Sequence, residues 1–264
     1  MIGALKKMKT SVDSSGKVVY DLPIGDHVLH FNSFIGKEIF IKYTGKIFCT
    51  NCNRKISKSF NQGYCYPCFT SLPETDMCIV KPEKCHFASG TCRDETWGLA
   101  HCHIPHVVYL ANSSGLKVGV TRAHQKFHRW MDQGASQAIV VCQTSNRLDA
   151  GFIEIALAKH LEDKTNWRKM LKEKPEDIDL VVSKQGIKAF LPANVDFTLA
   201  DDEVFHFTYP VEKYPVKIES LDLEKSPEVR GVLTGIKGQY LIFESKVINI
   251  RKFGGYEVEF SDSH

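Results

Sequence analysis

Two cysteine pairs, Cys49-Thr50-Asn51-Cys52 and Cys65-Tyr66-Pro67-Cys68, stand twelve residues apart. Each C-x2-C pair can fold back so that both sulfurs reach one ion. A hairpin between the pairs then closes a tetrahedral four-thiolate site. Zinc is the default ion, because four thiolates suit it and it brings no redox chemistry. A rubredoxin-like iron site and four unliganded buried thiols are the lesser alternatives. A closed four-thiolate shell leaves no coordination position for substrate, so its role is structural. Around it lie Arg54, Lys55, Lys58, Phe60, Tyr64, Tyr66 and Phe69. Cations interleaved with aromatics suit single-stranded or distorted nucleic acid. The same aromatics would equally make a small ribbon core.

A second, looser cluster follows: Cys78, Cys85, Cys92 and Cys102, with His86, His101, His103 and His106 nearby. Its spacings of six, six and nine residues match no standard finger. Four cysteines so close in a chain with reduced thiols still point to a second zinc, with a histidine replacing one cysteine as the main variant. Such an ion would order the chain just ahead of Tyr109.

The elements beyond it must position one tyrosine, one lysine, one arginine and one glutamate. Val107-Val108-Tyr109-Leu110 and Leu116-Lys117-Val118-Gly119-Val120, joined by Asn112-Ser113-Ser114-Gly115, predict a β-hairpin. A helix with Arg129 and Trp130 follows and closes at Gly134. Then come a strand over 138–142 and a helix over 149–161 carrying Glu154. That helix is apolar nearly all round (Phe152, Ile153, Ile155, Ala156, Leu157), so a carboxylate inside it needs a partner or a metal. The bland alternatives are a strand aromatic at Tyr109, a solvated edge residue at Lys117 and a surface ion pair at Glu154. Cys142 reads as a buried strand residue.

This order of elements resembles a divergent GIY-YIG nuclease domain over about residues 104–172. Val107-Val108-Tyr109 stands for the first motif and Lys117-Val118-Gly119 for the second. The resemblance implies that Tyr109 helps activate water, Arg129 steadies the phosphate and Glu154 holds magnesium or manganese for phosphodiester hydrolysis. Lys117, on the strand paired with that of Tyr109, would lower the phenol's pKa or contact phosphate. Val107 replaces the glycine of the first motif, Lys117 replaces the tyrosine of the second, and the hairpin loop is short. A site that has lost cleavage would carry such departures. A closer resemblance, over most of the chain, is to an uncharacterised bacterial family, domain of unknown function 2797. It rests on Tyr109-Leu110-Ala111, Lys117-Val118-Gly119-Val120-Thr121, Arg129 and Gln133-Gly134-Ala135.

The 264 residues are 43% apolar and 25% charged, the balance of an ordinary folded protein. A net charge of +3 does not by itself imply a nucleic-acid partner. Residues 1–68, however, hold ten Lys/Arg against four acids. With Arg122 and Lys126, which open the arginine helix, Arg54, Lys55 and Lys58 are the candidate phosphate contacts. Neither a signal segment nor a membrane span is visible, which predicts a cytoplasmic protein with no membrane partner.

Glycine-punctuated strands at both ends (18–48 and 231–260) suggest one β-barrel-like domain with the rest inserted. Lys237, Arg251 and Lys252 there are more simply solvated than nucleic-acid contacts. The expected fold is α+β: an N-terminal β segment (1–48), a zinc-binding region (49–106), a GIY-YIG-like α/β domain (107–175) and a C-terminal β-rich domain (176–264). The expected function is nucleic-acid binding with two structural zincs. The chain would be either a magnesium- or manganese-dependent endonuclease or a non-catalytic zinc-ribbon module for nucleic acid or protein.

Overall fold

The computed structural model describes residues 1–161 and 166–262. Its central element is an antiparallel sheet. The strand His106–Asn112 lies between Leu116–Arg122 and Gln137–Thr144. The short strands Thr198–Leu199 and Val204–His206 pair with the far edge of Gln137–Thr144. Every residue of His106–Asn112 is buried, because both faces of the strand are covered. Side chains alternate along a strand. Val107, Tyr109 and Ala111 therefore enter one core, and Val108 and Leu110 enter another.

The first core reaches into the terminal β-structure and includes Leu5, Tyr20, Phe253 and Val258, with Trp130 of the helix Lys126–Asp132. The second is closed by the helix Arg147–Ala158, through Ala150, Ile153 and Leu157, and by Leu180 and Ile187 of the helix Leu180–Ile187. Arg147–Ala158 is not buried all round as its composition suggested. Phe152 and Ile155 are 46% and 40% exposed, and Glu154 is half-buried. The helix packs on the sheet along one side only, which leaves the other to solvent. A short helix, Trp167–Lys172, follows it, and residues 162–165 lie outside the described residues.

The two ends of the chain meet in one ladder. Ile2–Ala4 pairs with Tyr256–Asp262, which pairs with Glu38–Phe48, and Glu228–Val232 lies on the far side of Glu38–Phe48. A three-stranded sheet (Lys9–Val12, Val18–Ile24, His27–His30) and a four-stranded one (Gly235–Lys237, Tyr240–Ile242, Lys246–Asn249, Glu219–Ser220) pack beside it. The expected barrel does not form: among the described residues these sheets stay open and separate. Closure needs an unbroken hydrogen-bonded circuit of tilted strands. Among the described residues, short contacts such as the isolated bridge of Leu5 with Ile24 join neighbouring sheets where a continuous ladder would be needed.

Candidate metal centre and tyrosine site

The strand Glu38–Phe48 delivers Cys49, and the short strand Lys55–Ile56 pairs back onto Ile47 and Phe48. Between them Asn53 takes a left-handed turn with φ of 56°, and the Cys49 N–H donates to the Arg54 carbonyl at 2.9 Å. The second pair is set by a helix start. Cys65 caps Tyr66–Ser71, with Pro67 in the first turn, where its missing N–H costs nothing. The sulfurs of Cys49, Cys52, Cys65 and Cys68 all lie within 4.8 Å of one another. Those of Cys52 and Cys65 are 3.7 Å apart. The Cys65 N–H donates to Cys49 Sγ at 3.2 Å, and Asn51 Nδ2 donates to Cys68 Sγ at 3.3 Å.

Burial pushes the Cys49 thiol up, but the backbone N–H groups of Cys52, Cys65 and Asn51 outweigh it and bring the thiol down to about 6. Donors aimed at sulfur favour the thiolate, the form that binds metal. The four cysteines form a zinc-ribbon-like cluster that can bind a metal, and the donor set suits a structural zinc. The hairpin is seated on the chain's tail. Gly255, at φ of 84°, lets that backbone pass where a Cβ would stand 2.1 Å from the Phe48 carbonyl oxygen. Arg251 Nε donates to Gln62 Oε1 at 2.7 Å.

The ribbon turns cations and rings outward. Arg54, Lys55 and Lys58 are exposed, and Tyr66 is 60% exposed. Phe60 and Phe69 stack at 5.8 Å, Tyr66 meets Phe60 edge-on at 5.4 Å, and Lys58 Nζ sits 5.3 Å from the Phe60 ring centre. Phe60 and Phe69 are half-buried, so they serve the ribbon's own packing as well as its surface. Arg54 lies against the Cys52 sulfur, which raises its pKa.

Tyr109 is placed differently. Its side chain is fully buried, with a ring that covers Gly119 on the neighbouring strand. A Cβ at that glycine would stand 2.6 Å from the phenol oxygen. The hydroxyl donates to Gln133 Oε1 at 3.0 Å. Burial pushes the phenol above its ordinary pKa; Arg129 opposes this through its charge and a hydrogen bond, and Glu154 adds to the rise. Lys117 pairs with Ala111 and so shares the Tyr109 face of the sheet, where it is buried. Arg129 is half-buried, and its Nε makes no hydrogen bond among the described residues.

Thus Tyr109, Lys117, Arg129 and Gln133 belong to one face. Glu154 comes from the helix that packs on the opposite face, near enough for its charge to be felt at Tyr109. Gln133 was not singled out as a site residue, although it lies one turn after Arg129 on a helix-end position that faces the same way. Arg251, expected to be solvated, is half-buried. Burial lowers its pKa, and the charge of Arg129 lowers it further. Nothing local in the sequence links residues so far apart.

Residues 36–258 match the family model described as Protein of unknown function (DUF2797). The chain belongs to this family. No curated protein and no solved structure matches it. The likeness to GIY-YIG nucleases thus rests on the quoted residues alone.

The DUF2797 match takes in both cysteine clusters. In the second, Cys78, Cys85, Cys92 and Cys102 line one small cavity together with Asp76 and His86. The ligand atoms of Asp76, Cys78 and His86 lie within 4.8 Å of one another. Asp76 was absent from the expected set; it caps Met77–Val80 by accepting from the Cys78 N–H at 3.3 Å.

The remaining candidate cations are dispersed. Arg122 is half-buried, and its pKa is lowered first by burial and then by the charge of Arg147. Lys126 Nζ lies 5.3 Å and 5.0 Å from the ring centres of Phe127 and Phe205. Lys237 is buried rather than solvated. It donates to the Met170 carbonyl at 2.9 Å, and burial lowers its pKa to about 8. Cys142 is fully buried, and burial pushes its thiol up to about 12. No helix among the described residues is long and apolar enough to cross a membrane.

Proposed function

We propose that this DUF2797 protein binds nucleic acid through its metal-braced ribbon, with the central α+β unit serving as the scaffold that holds the ribbon in place. The observation that carries the reading is the ribbon's outer face. Tyr66 stands out to solvent beside Phe60, which stacks on Phe69 and carries Lys58 over its ring, and Arg54 and Lys55 are exposed on the same ribbon. A ring stacks on any unpaired base, while cations follow the phosphate backbone without reading sequence. All nine cysteines are free, which fits a reducing compartment such as the cytoplasm.

Fluorescence anisotropy with labelled single-stranded DNA and RNA, and a duplex control, tests this. Tyr66→Ala should weaken single-strand binding about 5- to 150-fold, the equivalent of ~1–3 kcal/mol per stacked base. Lys58→Ala should lower the slope of affinity against salt by about one. Binding unchanged by Tyr66→Ala, or no binding at all, sinks the proposal.

Cleavage is the second reading, favoured by the convergence of Tyr109, Arg129 and Lys117 with the charge of Glu154 in range. In it, Glu154 would hold magnesium or manganese, and the ion would polarise a phosphoryl oxygen. Arg129, whose Nε has no partner among the described residues, would fork the phosphate oxygens. The sealed, weakly acidic phenol of Tyr109 weighs against it as a base at neutral pH. Supercoiled plasmid, branched DNA and RNA with either ion supply the assay. Cutting that survives Glu154→Ala, or no cutting by the wild type, retires this reading.

A further inference from the structure

Residues 73–105 have almost nothing apolar to fold around. They comprise short helical turns, Pro73–Thr75, Met77–Val80, Pro82–Lys84 and Phe87–Ser89, and the helix Glu95–His101. None of their side chains enters the four hydrophobic clusters found among the described residues. What they bury instead includes Cys78 and Cys102. A segment this short of core is held by covalent staples or by metal, and all nine cysteines are free.

The side chains around its centre have the chemistry of a metal shell. The Cys85 thiol lies against those of both Cys78 and Cys102. His86 Nδ1 is held by Thr91 Oγ1 at 2.8 Å, which leaves Nε2 available to an ion, and the ring offers a nitrogen within 4.8 Å of Cys78 Sγ. Asp76 Oδ2 stands 3.6 Å from that Nε2 and is itself fixed by Arg93 Nε at 2.8 Å. A ring nitrogen pinned by a hydrogen bond while the other faces inward is how ligating histidines are oriented. Cys92, although it lines the cavity, directs its thiol to the Asp94 carbonyl at 3.3 Å. The enclosed space is about 10 Å³, room for one water-sized body and for no substrate.

Charge points the same way. Arg147 is 8% exposed and has no acidic partner within ion-pair distance among the described residues. Its Nη1 reaches the Cys78 carbonyl at 3.4 Å, its guanidinium lies against the Cys102 thiol, and its Nε has no partner among the described residues. A buried cation without a counter-charge is costly. Three thiolates around a divalent ion carry a net charge of −1, which would supply one.

We infer that residues 73–105 fold around a second metal ion, bound by the thiolates of Cys78, Cys85 and Cys102 and by the imidazole of His86. A thiolate-rich shell selects zinc, and its lack of an open position makes it structural. The ion also acts at a distance from its ligands. The Arg147 N–H donates to the Cys102 carbonyl at 2.8 Å. Gly151 admits the Pro82–Glu83 backbone so closely that a Cβ would lie 2.2 Å from the Glu83 nitrogen. The metal loop therefore clamps the first turns of Arg147–Ala158, the helix that carries Glu154, and sets where that helix lies on the sheet.

Metal analysis of the purified full chain tests the site, independently of any nucleic-acid binding or cleavage. We expect two zinc ions per chain in the wild type, one in Cys85→Ser, one in His86→Ala and two in Cys92→Ser. One ion in the wild type overturns the site. Loss on Cys92→Ser with retention in His86→Ala overturns the ligand set. If Cys85→Ser does not fold, stepwise chelation of the wild type decides, with hydrogen exchange followed by mass spectrometry. Release of the second ion should strip protection from residues 73–105 and from the start of Arg147–Ala158. Protection lost only at residues 49–72 after both ions are gone overturns the proposal.

Discussion

The ribbon and the central sheet each gather residues that look fit for chemistry, and they turn them in opposite directions. In the ribbon, Tyr66, Arg54, Lys55 and Lys58 face water. In the sheet, Tyr109 is sealed under a core that includes Leu5, Tyr20 and Phe253 from the two ends of the chain. A thiolate-bound ion can close a small unit without apolar burial, so its rings and cations stay free to meet a partner. A sheet stabilised by burial on both faces draws its aromatics inward. The contrast teaches that a reactive residue type is poised for contact only where no core claims it.

Disrupting the ribbon's four-cysteine cluster should give the largest effect, since a structural zinc held there would contribute ~10–16 kcal/mol, the range for isolated peptides. Cys65→Ser should abolish nucleic-acid binding and expose residues 49–72 to protease, while hydrogen exchange across His106–Asn112 stays slow. Exchange that accelerates equally in both regions would mean that they fold as one and the contrast is false.

His106 gives the next effect, within the sheet alone. Its ring is buried, with Nε2 unpartnered among the described residues, and burial, with the charges of Arg147 and Arg122, lowers its pKa from 6.5 to about 4. The unfolded chain therefore takes up this proton first as pH falls. The stability is complete above pH 6.5 and is lost between 6.5 and about 4, by about 3 kcal/mol at most. Urea unfolding on either side of that window should show His106→Gln to be flatter than the wild type by that amount. Equal pH dependence in the two proteins would show that His106 is not held neutral.

Smaller changes at Tyr109 sharpen the comparison. Gly119→Ala would place its Cβ 2.6 Å from the phenol oxygen and should destabilise by about 1–3 kcal/mol. Tyr109→Phe removes the 3.0 Å hydrogen bond to Gln133 and should cost about 1 kcal/mol. Neither should alter nucleic-acid affinity. Cleavage lost in Tyr109→Phe at unchanged thermal stability would instead make the tyrosine a working residue. The smallest expected effect is on the stability of Tyr66→Ala, within about 0.5 kcal/mol of the wild type. A larger loss would show that Tyr66 belongs to the ribbon's core rather than to its binding face.

Local pattern was enough for several features. Pair spacing marked Cys49, Cys52, Cys65 and Cys68, and the Asn/Ser/Gly turn marked the hairpin that pairs Tyr109 with Gly119. The alternation of Val107, Val108, Tyr109 and Leu110 implied a strand, though not which face would be roofed by the chain ends. The composition of Arg147–Ala158 implied burial on every side, yet Phe152 and Ile155 are exposed because only one side meets the sheet. Strand texture at both ends implied shared β-structure, while the open sheets reflect ladder breaks that no short segment encodes.

By itself the sequence determined what neighbours along the chain decide: knuckles, turns, strand alternation and helix starts. These depend on interactions within a few residues. Only the tertiary structure decided that Tyr109 is sealed, that Glu154 belongs to a helix on the other face, and that His86 faces Cys78 while Cys92 turns to Asp94. Each of these follows from packing and charge between segments distant in sequence, and residue type and spacing do not record such contacts.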